Sequence, residues 1–302
     1  MTTKIPFVYQ YDFEYGALEQ VSPLVRRIVA KNPSAFTFRG TGTYVIGRGD
    51  SVVVIDPGPL LPEHIDALKQ TLAGETITHI LITHTHMDHS PAAAPLKQFW
   101  GASTYGYGPH GAGKREEGIQ VEEGGDMAFV PDVVVRHGDI IRGDGWTIEC
   151  VYTPGHTSNH MCFALAEEKS LFTGDHVMGW STSVISPPDG DMTAYMASLE
   201  LLLARDDEVY WPTHGTCITN VKEFVRAFIN HRLDREAQIL ACLADGISEI
   251  PNMVPVMYRE TDKKLYPAAA RSVLAAMVRL VDTGQVRASS TPSLEASYSL
   301  VS

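Results

Sequence analysis

His84, His86, Asp88 and His89 lie in Thr83-His84-Thr85-His86-Met87-Asp88-His89-Ser90, which packs three imidazoles and a carboxylate into six residues. A neutral imidazole is the commonest zinc ligand, and a neighbouring carboxylate suits a metal that takes oxygen as well as nitrogen. Imidazoles crowded together repel one another on protonation, so the cluster needs compensation, and a bound metal ion supplies it.

The elements around the cluster are arranged to present it. Residues 77–82 are a β-branched apolar run that reads as a buried strand, so the cluster begins just past a strand's C-terminal end. Open α/β layers place chemistry there. Side chains alternate along extended chain, so His84 and His86 share a side, and the turn that follows brings Asp88 and His89 round to face the same space.

Three later motifs also follow apolar strand-like runs: Gly155-His156-Thr157, Gly174-Asp175 and Pro212-Thr213-His214-Gly215. With them the chain resembles the metallo-β-lactamase superfamily along nearly its whole length. The resemblance implies an αββα sandwich of the α/β class. It also implies a dinuclear site in which His84, His86 and His156 hold one metal, Asp88, His89 and His214 hold the other, and Asp175 bridges both. Zinc is the expected metal, two ions per chain, although His and Asp donors also accept iron or manganese. Such a site provides a bridging hydroxide near neutral pH, and Asp88 would orient it.

Within the superfamily, Asp175 stands where the secreted zinc β-lactamases carry Cys, which argues against an antibiotic-resistance role. His86 stands where the di-iron electron-transfer branch has a carboxylate. Gly40-Thr41-Gly42-Thr43-Tyr44, the run from Thr153 to Met161 and Asn230-His231-Arg232 resemble the β-lactamase-like endoribonuclease branch, which also ends in a winged helix. Gly42 departs from the Asn usual in that branch. Polyketide-type thioesterases resemble the same region. Glyoxalase II shares the ligand set but ends in a different helical portion.

Composition narrows the choice. The 302 residues, 44% of them hydrophobic, can bury a large core, and their number fits one big domain and a small one. A net charge of −12 disfavours a surface that holds nucleic acid by neutralising phosphates. The first twenty residues read as neither signal peptide nor membrane anchor, and no later run is long enough to span a bilayer. Cys150, Cys162, Cys217 and Cys242 are widely spaced without a Cys-x-x-Cys pair, which fits reduced thiols in a cytoplasmic protein.

Periodicity predicts strands at 36–46 and 51–55 forming a hairpin, a helix from Pro62, and a second helix over 88–100 that leads away from the cluster. The Gly-rich residues 105–132 read as a long surface loop of the kind that forms lids. Short strands are expected at 133–135, 147–152, 161–165, 171–173 and 208–211, with helices at 192–203 and 221–243. Domain boundaries are placed at 1–245 for the catalytic part and 246–302 for the C-terminal module. In that module, helices at 250–258 and 267–282 and a hairpin from 283 resemble a winged helix. It carries six basic and five acidic residues, a poor balance for reading nucleic acid. Packing against the long helix or a second copy of the chain is the expected role, and substrate capture is the alternative.

The leading expectation is therefore a zinc-dependent hydrolase that cleaves an ester, thioester or lactone bond of a small acyl substrate. A single-strand endoribonuclease is the second reading, and a non-catalytic metal-binding interaction protein the third. His160, four residues past His156, is expected either at the cavity edge, donating a proton to the leaving group, or behind the ligands as a hydrogen-bond partner. His64, His79, His110, His137 and His176 match no motif and are expected to be structural or exposed. His231 and Arg232 are expected to tie the long helix to the core.

Overall fold

The computed structural model of the chain describes residues 3–10, 12–111 and 124–301. Its first sheet runs in chain order through β1 (Glu19–Gln20), β2 (Val25–Val29), β3 (Gly42–Ile46), β4 (Val52–Ile55), β5 (Ile77–Leu81), β6 (Ser103–Gly106) and β7 (Val133–Val134). Pairing is antiparallel through β4 and parallel from β4 to β7. Helices α1 (Pro62–Thr71) and α2 (Ala93–Trp100) make the crossovers from β4 to β5 and from β5 to β6.

The second sheet has the order β12-β11-β10-β9-β8. Its strands are β8 (Ile140–Gly143), β9 (Trp146–Tyr152), β10 (Met161–Leu165), β11 (Ser170–Gly174) and β12 (Val209–Pro212). Helix α3 (Met192–Ala204) links the parallel pair β11–β12, and the 24-residue α4 (Val221–Ala244) follows.

Three apolar layers show why these elements stack as an αββα sandwich. Ile65 and Leu68 of α1 and Leu96 of α2 pack on the outer face of the first sheet. Tyr44, Ile55, Trp146, Phe163 and Phe172 fill the space between the sheets. Leu199 of α3 and Phe224 and Phe228 of α4 cover the outer face of the second sheet. Strands covered on both faces read as continuous apolar runs, as β4 does with Val-Val-Val-Ile.

The C-terminal module consists of α5 (Ile250–Met257), α6 (Tyr266–Asp282) and the antiparallel pair β13 (Val286–Ala288) and β14 (Tyr298–Leu300). Its core recruits Ile239, Cys242 and Leu243 from the end of α4, while Ala275 of α6 reaches the core beneath α3 and α4. Among the described residues no helix is long and apolar enough to cross a membrane.

The structure differs from the expected elements in several places. Residues 36–40 do not extend β3; they form a turn in which Gly40 N–H donates to Thr37 O and Ser34 Oγ accepts from the N–H groups of Phe36 and Thr37. Gly40 takes φ +133, and a Cβ there would lie 2.1 Å from Ala30 O, so the Phe-Thr-Phe alternation gives way to a tight chain reversal. Helix α2 starts at Ala93 rather than 88, because the segment before it curls through His89 N–H and Ser90 N–H to His86 O, and Pro91 has no N–H to give. Strand β2, unforeseen, is buried at every position. Of the loop expected at 105–132, residues 105–106 belong to β6 and 112–123 lie outside the described residues.

Candidate metal centre

The C-terminal ends of β4, β5, β11 and β12 come together on one rim of the sandwich, and each delivers a polar residue to it. Asp56 lies beyond β4, the 83–89 loop beyond β5, Asp175 beyond β11 and His214 beyond β12. His156 arrives on the turn between β9 and β10. The structure brings all seven residues expected to hold metal into one buried cluster. His84, His86 and His156 form one group, Asp88, His89 and His214 a second, and His84, His89 and Asp175 a third, with the donor atoms of each group within 4.8 Å of one another.

The outward contact of each imidazole fixes which nitrogen faces the centre. His156 Nδ1 lies 2.7 Å from Val184 O and His214 Nδ1 lies 3.1 Å from Gly40 O. A carbonyl only accepts, so in both rings Nδ1 carries a proton and Nε2 is the nitrogen presented to the centre. His89 Nδ1 is 2.8 Å from Asp56 Oδ2, which leaves its Nε2 facing inward as well.

The inward-facing atoms crowd one another at the centre. His84 Nε2 and His156 Nε2 lie 2.9 and 3.2 Å from His86 Nδ1, so three ring nitrogens meet at a point that a cation would occupy naturally. His89 Nε2 and His214 Nε2 are buried with only carboxylates facing them: Asp88 Oδ2 at 3.4 and 3.0 Å, and Asp175 Oδ1, itself without a well-aligned hydrogen bond, at 3.6 and 3.5 Å. An unsatisfied buried polar atom costs about 1–3 kcal/mol. A set of inward nitrogens, two carboxylates and orphaned atoms fits a pair of metal ions well.

Electrostatics divide the cluster in two. Burial, with the neighbouring imidazoles, holds His84 and His86 well below the usual histidine range, and burial also lowers His156. These three are neutral, the form that ligates. Burial opposes charge on His89 and His214 too, but the Asp88 and Asp175 carboxylates outweigh it and raise both imidazoles. Burial pushes Asp88 and Asp175 up, but the His89 and His214 imidazoles outweigh it and hold both carboxyls down.

Asp56 was not singled out by the sequence, yet it organises the centre. Its carboxylate accepts from Thr83 N–H at 2.8 Å, Thr83 Oγ1 at 2.7 Å, Thr213 Oγ1 at 3.0 Å and His89 Nδ1. It thereby ties the loop after β5 to the loop after β12. The signal available was its place at the C-terminal end of an apolar strand, before Pro57-Gly58.

His160 is placed behind the ligands rather than at the cavity edge. It is fully buried, with Nδ1 2.9 Å from Thr153 Oγ1 and its ring stacked on His84 at 5.2 Å. A Cβ on Gly174 would lie 2.7 Å from its Nε2, so the glycine before Asp175 makes room for this ring. His176 is buried against Tyr195, and His64 hydrogen-bonds Thr43 and Pro57. Arg232 does connect α4 to the site: its guanidinium donates to Ser183 O, Ser183 Oγ donates to Asp175 O, and the adjacent Val184 O accepts from His156.

A cavity opens on the centre at His156 and Asp175 and is walled by Phe36, Met178, Trp180 and Val184, with Ser181 and Thr182 among its polar residues.

Four stacked layers and this donor set define a protein class, and the sequence comparison agrees with it. The chain belongs to the metallo-β-lactamase superfamily: the profile of that superfamily matches residues 37–214, and that of the β-lactamase-associated winged helix domain matches residues 250–293. The lactamase-like protein notP of Aspergillus sp. (strain MF297-2) is 33% identical over 234 residues, 76% of this chain and 67% of its own length. The atrochrysone carboxyl ACP thioesterase dmxR1 of Cryptosporiopsis sp. (strain 8999) is 31% identical over 228 residues, 75% of this chain and 65% of its own length. The chain thus spans about two thirds of the length of these relatives. A β-lactamase domain protein from Burkholderia ambifaria has the same fold, with a TM-score of 0.81, 18% identity and coverage of 98% of this chain and 97% of its own.

Proposed function

We propose that the chain is a zinc-dependent hydrolase that cleaves the thioester of a small acyl substrate, with esters and lactones as chemically related targets. The observation that carries the reading is the buried seven-residue donor cluster opening on a cavity at His156 and Asp175. The thioesterase among the relatives supports the choice of bond.

His84, His86 and His156 would hold one metal ion and Asp88, His89 and His214 a second, with Asp175 available to both sets; the chemistry such ions supply when bound is polarisation of a carbonyl and activation of water. Asp88 Oδ2 lies 3.0 Å from His214 Nε2, and its low proton affinity keeps it anionic, suited to orienting the water through its proton. His84 is held in place by the ring of His160 and by Thr83 Oγ1, 3.1 Å from its Nδ1. In this reading the acyl group would lie in the cavity lined by Ser181 and Thr182, with its carbonyl toward Asp175.

The placement of His160 favours the thioester. Among the described residues, no histidine or acid other than His156 and Asp175 lines the cavity, so a leaving group that departs without a proton donor is favoured. A thiolate, with a thiol pKa near about 8.5, meets that demand far better than an alkoxide.

Zinc-saturated protein should release free thiol from acyl-CoA or acyl-N-acetylcysteamine thioesters and contain two metals per chain by elemental analysis. Asp175→Ala should lose both ions or hold one loosely and be inactive. Protein with two metals that leaves every thioester intact, or that cleaves single-stranded RNA instead, would overturn the reading. The near-neutral C-terminal module gives the RNA arm little support.

A further inference from the structure

We propose that Trp180 is a specificity-determining residue: held rigid by Phe38 in the cavity wall, it selects a flat aromatic acyl group over a flexible aliphatic one. The inference deepens the hydrolase reading and rests on it for the position of the scissile carbonyl.

Four observations converge on Trp180. The indole lines the cavity that also reaches His156 and Asp175, so a group lying against it is adjacent to the metal donors. Phe38 stacks on it with ring centroids 4.8 Å apart and planes 13° from parallel. Gly215, next to His214, lies close against it, and a Cβ there would come within 3.3 Å of Trp180 Cδ1. The remaining apolar wall comes from Phe36, Met178 and Val184, and among the described residues His156 and Asp175 are the only ionisable ones in the lining.

The backbone at Phe38 points the same way. Phe38 adopts φ +57, a left-handed conformation that a bulky residue rarely takes. Strain of this kind persists only where the surroundings over-determine it, and it concentrates at ligand-binding positions. Here the turn at residues 34–40 carries Phe36 into the cavity and Phe38 onto Trp180, so the strained residue fixes the orientation of the indole.

A rigid indole wall discriminates by shape. A planar ring can lie offset on an indole, gaining stacking in addition to burial, without losing chain freedom. An alkyl chain buries comparable surface but gives up rotamers to lie flat, and Met178 is the only unbranched, flexible side chain among the described residues of the wall to accommodate it. The carboxyl end of the acyl group would then point to Asp175 and His156, while Ser181 and Thr182 offer hydroxyls to ring substituents.

The test compares 2-naphthoyl and octanoyl N-acetylcysteamine thioesters on zinc-saturated full-length protein, together with calorimetric binding of free 2-naphthoate and octanoate. Wild type should favour the naphthoyl group about tenfold in both kcat/KM and acid binding, tenfold corresponding to about 1.4 kcal/mol. Trp180→Ala should lose that preference through KM, and Trp180→Phe should keep most of it. Phe36→Ala, which leaves the Phe38–Trp180 stack intact, should lower it part-way and serves if Trp180→Ala does not fold. Equal preference in wild type, or a preference untouched in both Trp180→Ala and Phe36→Ala, would overturn the assignment. If naphthoate binds preferentially but neither thioester is cleaved, the hydrolase reading fails and the pocket stands. If both thioesters are cleaved without preference, the hydrolase reading stands and the role of Trp180 fails.

Discussion

Asp56 and His64 show how single side chains set the properties of the centre. Asp56→Asn keeps size but replaces a carboxylate that accepts four hydrogen bonds with an amide that can accept only on one side. His89 then loses its anionic partner, and metal affinity should fall about 10- to 100-fold, measured by competition with a chromophoric chelator. Unchanged affinity would reduce Asp56 to a loop tie. Burial lowers His64 to about 4, partly offset by its bond to Pro57 O, against 6.5 in the unfolded chain. Between those values the unfolded chain binds a proton that the folded chain refuses, so stability is intact above about pH 6.5 and falls by about 3 kcal/mol as pH drops to about 4. His64→Gln should flatten that loss, seen by comparing denaturation midpoints of the two proteins at about pH 7.5 and about pH 4.5, on either side of most of the titration; parallel losses would exclude His64 as its source. The seven residues proposed as donors could be picked out of the sequence because each sits in a short motif directly after an apolar strand. Asp56 was not, because its partners Thr83 and Thr213 are distant in sequence and only the fold brings them near.

At the scale of elements, what escaped the sequence was also a matter of partners. Strand β2 reads Val-Arg-Arg-Ile-Val, and two consecutive arginines argue against a buried strand until their ion pairs are known. Arg26 is held by Glu75 at 2.6 Å and by Gly47 O, and Arg27 reaches Glu19 at 2.8 Å. Helix α4, by contrast, was plain from its period, but its service to the centre runs through one side chain. Arg232→Met keeps the aliphatic stem and removes the donor to Ser183 O, freeing the segment that holds Asp175 and His156 from behind. Zinc should pass to a chelator several-fold faster from this variant. Arg279→Met, which breaks the pair with Glu236 one turn further along the same helix and leaves the bond to Ser183 O in place, supplies the control: it should lower the melting temperature without speeding metal loss. Equal rates in both variants would mean that Arg232 acts on stability alone.

For the whole molecule, the question is how the C-terminal module joins the sandwich. A boundary at 245 cuts through a shared core, since Ile239, Cys242 and Leu243 lie in α4 and pack on the module, and Ala275 of the module packs under α3 and α4. Removing residues 246–302 should therefore uncover apolar surface on α4 and cause aggregation or a lower melting temperature, read by light scattering and calorimetry. A soluble 1–245 chain that melts as the full protein does would show the two to be independent. An α/β layer pattern was legible from alternating strand and helix periods, because layers follow from which faces are apolar, whereas the αββα stacking came from the resemblance that the His and Asp motifs carry.

The donors come from both sheets, His84 and His89 following the first and His156 and His214 the second, so the metal would work as a removable cross-link between the two halves of the sandwich. Neither half alone can present more than part of the set, and the occupied state forms only after the sheets have docked. Metal capture is then a clock for the last step of folding: a fluorescent zinc indicator should report uptake no earlier than burial of Trp146 between the sheets. An ion that binds the folded chain and not the unfolded one stabilises it by mass action, by about 4 kcal/mol at a roughly thousandfold excess over its dissociation constant. Chelation should accordingly lower the resistance of the entire sandwich to denaturant, rather than loosen one loop.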